Sequence, residues 1–426
     1  MVTGDRWATV VTLALVLVIP AVAVATGSTT YGGAVPAPAG VTLHSVCGDS
    51  SQGLLFAVGT DGTNGVIYRI DSLTTEGYVR LKGYKPGWAN SFIFYACEVV
   101  DSYLFATAEG RSKQGDIRST FVVYSITQQK TLSHVDERST GVGAGTVRFR
   151  DVDVKKVGST YYIYALSVAD SSVVLYYTSF TGGALGSISS VTIGTGDGYG
   201  VSIWGNYLGL LWRDGNSNLL LSVFDVSGGS PNNRQDVVVV QGFTGARAAE
   251  AAYSEGFLVA VAGELYRVYL SGGNWISGEF VDFKDPNVVE CDPYAMLVAE
   301  SGGAKAAYIF SQTRQDGTIR MCFIAVDLVG KGVIRDPLTI LQQPMEGYGD
   351  AYIVWVDSSM NIVSRGSSSP YMVYTVTDGA SSSHLIYYDL TQGGSLPYPV
   401  PEPWFTSLAV LASTVAAVAT ILRRAG

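Results

Sequence analysis

Apolar strands separated by polar, glycine-rich turns recur along most of the chain. Seven segments rich in apolar and aromatic residues repeat at intervals of about fifty residues, and they are 65–71, 121–127, 172–180, 219–226, 264–270, 319–328 and 384–390. Each is preceded by an apolar partner, at 54–59, 103–110, 161–170, 207–215, 257–263, 306–312 and 371–378. Before most partners lies a shorter strand, as at 44–53, 95–102 and 149–159. The pattern predicts antiparallel units of about four strands.

Four-stranded units repeated in this way are typical of a β-propeller, in which each sheet is covered on both faces and few edges stay free. We therefore predict an all-β fold, a seven-bladed β-propeller spanning residues 42–393. Six or eight blades, or paired β-sandwiches, are the alternatives, because the last interval (329–383) is long and irregular. Asp61-Gly62 and Asp214-Gly215 are predicted to form hairpin turns. Residues 26–41 are predicted to be a linker, and the GDGYG segment (196–200) is predicted to be a loop.

The two ends of the chain are apolar and differ from the middle. Residues 1–25 predict a signal peptide, with Arg6, an apolar run and Ala23-Val24-Ala25 as the cleavage site; an uncleaved anchor is the alternative. Residues 404–422 are uncharged and long enough to cross a bilayer once. The basic end at 423–426 favours the cytoplasmic side. We expect a single-pass protein of the cytoplasmic membrane with its N-terminal domain outside.

A short proline-containing motif precedes this helix, after a Pro/Gly stalk at 394–403. Val400, Pro401, Glu402 and Pro403, followed by the apolar run and Arg423-Arg424, resemble the C-terminal sorting signals of the PEP-CTERM type and their archaeal counterparts. The resemblance covers residues 400–426 and implies cleavage near Pro403 and transfer to a surface anchor. A permanent tail anchor behind a proline-rich stalk explains the same residues.

The net charge of the chain bears on its binding partners, and its cysteine content bears on disulfide bonds. The formal net charge is −9 and no basic cluster interrupts it, so a nucleic-acid partner is not expected. Four cysteines, Cys47, Cys97, Cys291 and Cys322, lie between the apolar ends. In an oxidising compartment an even number indicates disulfides, and three pairings are open. Free buried thiols are the alternative.

Acidic residues lie on or beside the first short strand of several units, and that strand lines the axis of a propeller. They are Asp49, Glu98, Asp151, Asp153, Glu250, Glu290 and Asp292. The axial candidates among them are Glu98, Asp151, Asp153, Glu250 and Asp292. Converging carboxylates bind a divalent cation or raise one another's pKa values. The competing interpretation is that strand ends simply favour acidic residues.

No catalytic motif accompanies these carboxylates in the sequence. Only three histidines occur, and none stands at paired ligand spacing. The many aromatic residues suit a carbohydrate- or peptide-binding surface, although packing within strands explains most of them. We expect a cell-surface binding or structural module whose partner outside the cell is a protein, polymer or small ligand. The alternative is an extracytoplasmic propeller enzyme, a hydrolase, lyase or quinoprotein-like dehydrogenase, with axial carboxylates.

Overall fold

The part of the chain that the structure describes folds mainly into antiparallel β-sheet. The computed structural model describes residues 32–141, 147–284, 290–301, 304–315, 318–341, 345–364, 368–378 and 382–391. Within these ranges the only helical element is a 3-10 turn at Thr75–Gly77. The predicted signal peptide, stalk, sorting motif and membrane helix lie outside the described residues. No helix in the described ranges has the length and hydropathy needed to cross a membrane.

The described ranges contain thirty strands, beginning with β1 (Gly32–Pro36). The first sheet contains β2 (Thr42–Asp49), β3 (Leu54–Thr60), β4 (Gly65–Ile70) and β5 (Tyr78–Tyr84). The second sheet contains β6 (Ser91–Val100), β7 (Tyr103–Arg111), β8 (Ile117–Ile126) and β9 (Leu132–Ser139). The strands of each sheet pair in chain order.

A long sheet of eight strands follows. It contains β10 (Val147–Val157), β11 (Thr160–Ala169), β12 (Ser172–Thr181), β13 (Ala184–Leu185), β14 (Ser189–Trp204), β15 (Tyr207–Asp214), β16 (Leu219–Asp225) and β17 (Asn232–Val240). Its two halves share β14, whose first part pairs with β12 and whose second part pairs with β15.

Three more sheets complete the chain. One contains β18 (Ala248–Tyr253), β19 (Gly256–Val261), β20 (Glu264–Ser271) and β21 (Asn274–Asp282). The next contains β22 (Glu290–Ser301), β23 (Ala304–Gln315), β24 (Thr318–Asp327) and β25 (Val333–Leu341). The closing sheet contains β26 (Met345–Glu346), β27 (Tyr352–Val356), β28 (Ile362–Val363), β29 (Ser369–Asp378) and β30 (Ser382–Asp389), together with β1.

The closing sheet joins the two ends of the described chain. Strand β1 pairs antiparallel with β30, with Val35 opposite Leu385. Val35 is 5% exposed and belongs to the apolar cluster between the closing sheet and the first sheet. The range 26–41 is predicted as a linker, whereas the structure places a strand within it. A segment with one buried apolar residue gives no local signal for a strand, because its partner is distant in sequence.

The glycine-rich segment 196–200 lies inside β14, so its prediction as a loop is wrong. Here the outermost strand of one half-sheet runs directly into the first strand of the next. Gly196 has φ +153°, and a Cβ there would lie 1.7 Å from the carbonyl oxygen of Arg213. The glycines therefore permit close strand packing rather than a turn. The two predicted turns at Asp61-Gly62 and Asp214-Gly215 are confirmed as hairpin connections.

Among the described residues, seven apolar clusters fill the spaces between consecutive sheets and half-sheets. The first is shared by the first and second sheets, and the second by the second sheet and the N-terminal half of the long sheet. The next four continue around the chain in order. The seventh joins the closing sheet to the first. Because the series returns to its start, the sheets form a closed ring, which is the architecture of a β-propeller.

The first strand of each sheet or half-sheet lies on the inside of this ring, except in the closing sheet, where β27 takes this place. Strand β2 contacts β6, β6 contacts β10, β10 contacts β14, β14 contacts β18 and β18 contacts β22. Strand β27 contacts β2. These strands therefore surround the central axis. Among the described residues, the axial edges of β2, β6, β10, β18 and β22 have no paired strand.

Candidate functional site

Five acidic residues on the inner strands and the segment before β27 form what we call the axial carboxyl cluster. They are Glu98, Asp151, Asp153, Glu250 and Asp350, and their mutual electrostatic effects link all five. Asp151 and Asp153 alternate along β10, so both side chains leave the same face of the strand. Glu98 comes from β6 and Glu250 from β18.

Two members of the axial carboxyl cluster hold the inner edge of the neighbouring half-sheet. Asp151 accepts hydrogen bonds from the backbone N–H of Val152 at 2.8 Å and of Val201 at 2.9 Å. Asp153 accepts from Val154 at 2.6 Å and from the backbone of Ile203. A buried N–H without a partner is costly, and an inner strand has no further strand to supply one. These carboxyls therefore attach β10 to β14.

Glu250 is enclosed by protein on all sides and is 3% exposed. Its Oε2 accepts a short hydrogen bond from the Ser202 hydroxyl. Its Oε1 has no hydrogen-bond partner among the described residues. A Cβ at Gly200 would lie 3.2 Å from Glu250 Oε1 and 3.5 Å from Asp151 Oδ2. Glycine at this position leaves room for the two carboxyls to approach the same strand.

Burial raises the pKa of every member of the axial carboxyl cluster. It raises the pKa of Asp151 to about 8 and that of Asp153 to about 6. Burial first, then the neighbouring carboxylates, raise the pKa values of Glu98 and Asp350 well above their usual range. Removing a carboxylate from water disfavours its charged form, and like charges add to the effect. At neutral pH the cluster therefore carries bound protons.

Asp350 combines surface exposure with this raised pKa. The Asp350 residue retains solvent exposure, and desolvation by the surrounding protein atoms is nevertheless the main cause of its raised pKa. Asp350 was missed in the sequence because it precedes β27 in the irregular last interval, where no strand pattern marks an axial position.

The segment that carries Asp350 lies against inner strands of the ring. The Tyr348 N–H donates to the His44 carbonyl at 3.3 Å, and the Gly349 N–H donates to the Arg150 carbonyl at 2.7 Å. The Tyr348 ring is 3% exposed and lies 5.6 Å from the ring of Tyr95. Residues 347–350 thus contact the inner strands of three other sheets. We call this segment the axial crossing.

The other acidic residues noted in the sequence have different surroundings. Asp292 is buried, and its Oδ1 accepts from the Ala246 N–H at 3.2 Å. Asp49 binds the turn after β2, accepting from the Ser51 N–H at 2.9 Å. The Glu290 side chain lies outside the described residues. Within the described ranges, no three His, Cys, Asp or Glu side chains are arranged to hold a metal ion.

One disulfide joins two inner strands next to the axis. Cys47 on β2 is bonded to Cys97 on β6, with 5.7 Å between their Cα atoms. This bond crosslinks the first and second sheets. Cys291 lies opposite Thr313 on one side of β23, and Cys322 lies opposite Ser311 on the other.

Comparisons with known proteins give structural likeness without sequence support. No protein-family model matches the chain, and no curated protein sequence does. Similar solved structures include the periplasmic gluconolactonase PpgL of Pseudomonas aeruginosa, 12% identical over 82% of this chain and 99% of that one, with a TM-score of 0.48. The WD40 domain of SCAP from fission yeast is 9% identical over 84% of this chain and 87% of its own, with a TM-score of 0.46.

A third similar structure is a protein from Lactobacillus plantarum. It is 15% identical over 71% of this chain and 86% of its own length, with a TM-score of 0.48. At such identity and overlap we transfer no activity or ligand from any of the three. The assignment of a β-propeller rests on the sheets and the closed series of apolar clusters.

Proposed function

We propose that this chain is a seven-bladed β-propeller, held outside the cytoplasm by a C-terminal membrane helix, that binds a ligand without converting it. Counting each half of the long sheet as one blade gives seven units, most of them four-stranded. The observation that carries the binding role is the use of Asp151 and Asp153 as acceptors for the N–H groups of β14. Because these carboxyls join neighbouring blades, their role is structural, and we propose that the ligand binds at the protein surface.

Export is supported by the crosslink between blades. The bond between Cys47 and Cys97 is of a kind that persists in oxidising compartments. The apolar segments 1–25 and 404–422 supply a route out and an anchor. The Val400–Pro403 motif gives an alternative: the chain would be cleaved near Pro403, and the same domain would be attached to the cell surface instead of being held by the helix. Intact mass of the native protein, after membrane fractionation, distinguishes a retained helix from cleavage near Pro403.

An extracytoplasmic propeller enzyme is the second candidate, and one observation favours it. Asp350 has a raised pKa among the other buried carboxyls of the axial carboxyl cluster, and a raised pKa keeps a carboxyl protonated for use as a general acid. One fold carries many functions, so the choice depends on this site alone.

A single experiment separates the two candidates. Full-length protein in detergent is incubated with extracellular polysaccharides and peptides, and both retention of the ligand and release of products are measured. The binding proposal expects retention without product, unchanged by Asp350→Asn. Product formation that Asp350→Asn abolishes, with the melting temperature intact, would establish the enzyme instead.

A further inference from the structure

A cleft on the outside of the ring, away from the axial carboxyl cluster, has the composition of a ligand site. It has a volume of about 490 Å³ and lies between the second sheet and the N-terminal half of the long sheet. This volume falls within the usual range of small-molecule sites, roughly 300–1,000 Å³. Its walls are residues 138–141, which end β9, and 187–190, which lead into β14.

Hydroxyl groups dominate the lining of this cleft. Six of its eleven residues are serine or threonine, and Tyr176 adds a phenol and a ring face. Ser187, Ser189 and Ser190 are exposed to solvent, whereas Ser119 at the base is 1% exposed. Hydroxyls both donate and accept hydrogen bonds, and rings stack on the apolar face of a sugar. The lining therefore matches a polyhydroxylated ligand.

The lining of the cleft also contains one positively charged side chain. Arg138 is the single charged residue of the lining, which contains no carboxylate. It donates to the Leu185 carbonyl at 3.0 Å, which holds its guanidinium against the wall. Guanidinium has five N–H donors, so this bond leaves donors for a ligand. The net charge of the chain is −9, so the preference of this cleft for an anion rests on the Arg138 guanidinium alone.

We infer that this cleft binds a carboxylated sugar, a uronic acid unit, with its carboxylate on Arg138 and its ring against Tyr176. One guanidinium balances one carboxylate and pairs with it in a bidentate manner. The serine hydroxyls of the 187–190 wall bind the sugar hydroxyls. The inference rests on the proposed binding function and names the class of its ligand. The same unit is available free or within an acidic polysaccharide.

The test uses trigalacturonic acid and its fully methyl-esterified form, which has the same rings without the charge. Binding to the full-length protein in detergent is measured by calorimetry. We expect the acid to bind at least tenfold more tightly than the ester. Arg138→Gln should weaken binding of the acid at least tenfold, and Ser187→Trp should block the cleft. Lys113→Gln, which removes an exposed positive charge elsewhere, should leave binding unchanged.

Melting temperatures of the variants establish that they fold. Equal binding of acid and ester, or unchanged binding by folded Arg138→Gln, overturns the cleft assignment. In that case a ligand bound elsewhere would still satisfy the proposed function, so the two failures are distinguishable. Comparing the trimer with free galacturonic acid identifies the source: tighter binding of the trimer indicates a polymer, and equal binding indicates the free sugar.

Discussion

The Oδ2 atom of Asp151 accepts a 2.9 Å hydrogen bond from the backbone N–H of Val201, and this bond links the two halves of the long sheet beside the axis. Asp151→Ala leaves that N–H and the N–H of Val152 without their acceptor. We expect the free energy of unfolding to fall by about 2 kcal/mol, the usual cost of an unsatisfied buried donor. Urea denaturation at pH 5 measures the loss.

Asp151→Asn is the matched variant, because it keeps one oxygen acceptor and removes the ionisable group. We expect it to lie close to wild type at pH 5. At pH 9 it should exceed wild type in stability, because the wild-type carboxyl must ionise in a buried site. Equal losses for the alanine and asparagine variants at pH 5 would contradict the acceptor role.

The axial carboxyl cluster also predicts a dependence of stability on pH. The pKa of Asp151 is raised from 3.8 to about 8 and that of Asp153 to about 6, so the folded state holds more protons than the unfolded state in this interval. The free energy of unfolding therefore falls as the pH rises from about 4 to about 8. The stabilising contribution is complete below pH 4.

Surface carboxylates determine how the stability changes at pH values below about 4. Hydrogen bonds from Asn64 and Arg80 hold the pKa of Asp61 below its usual value, so its stabilising contribution is lost as the pH falls below about 4. We expect a maximum in melting temperature between about pH 4 and 6. Melting curves from pH 3 to 9 test this, and a melting temperature that rises steadily up to pH 8 would refute it.

Ring closure by β1 gives a third prediction. Val35→Asp places a charge in the apolar cluster shared by the closing and first sheets. We expect a loss of about 2–3 kcal/mol in the free energy of unfolding. Ala34→Asp is the control, because Ala34 is its exposed neighbour on the same strand. Similar effects of the two substitutions would show that β1 does not contribute to closure.

The disulfide between Cys47 and Cys97 gives a fourth prediction. Its sequence separation is 50 residues, and loss of such a crosslink costs about 2–4 kcal/mol of stability. Reductant should lower the melting temperature of wild type, whereas it should leave the Cys47→Ser/Cys97→Ser variant unchanged. An equal shift in the melting temperatures of wild type and the double variant would show that reductant acts at a site other than this disulfide.

The sequence predicts the strands well because their apolar runs are local. Phe56 and Val58, for example, are fully buried on a strand covered on both faces, and that strand is evident in the sequence. What escapes prediction depends on distant partners. Gly32–Pro36 becomes a strand only by pairing with β30, and Asp350 reaches the axis only through the axial crossing. The cleft beside Arg138 likewise combines segments of two sheets, so no local spacing marks it.

Tyr348 in the axial crossing gives the last prediction. Its buried ring lies 5.2 Å from the ring of His44 and 5.2 Å from the guanidinium of Arg150, so it connects the closing sheet to the first sheet and to the long sheet. Tyr348→Ala removes a large buried ring, and we expect a loss of about 3 kcal/mol or more. Tyr348→Phe keeps the ring and should retain most of the stability.

Hydrogen exchange distinguishes a local role of Tyr348 from a global one. If the axial crossing holds the inner strands together, Tyr348→Ala should speed exchange of the Gly349 N–H, which donates to Arg150, and of the neighbouring N–H groups of β2 and β10. Strand β17, which lies at the outer end of the long sheet, should exchange at its wild-type rate under conditions that keep the ring folded. Uniformly faster exchange across all sheets would show that Tyr348 stabilises the fold as a whole rather than this end of the axis.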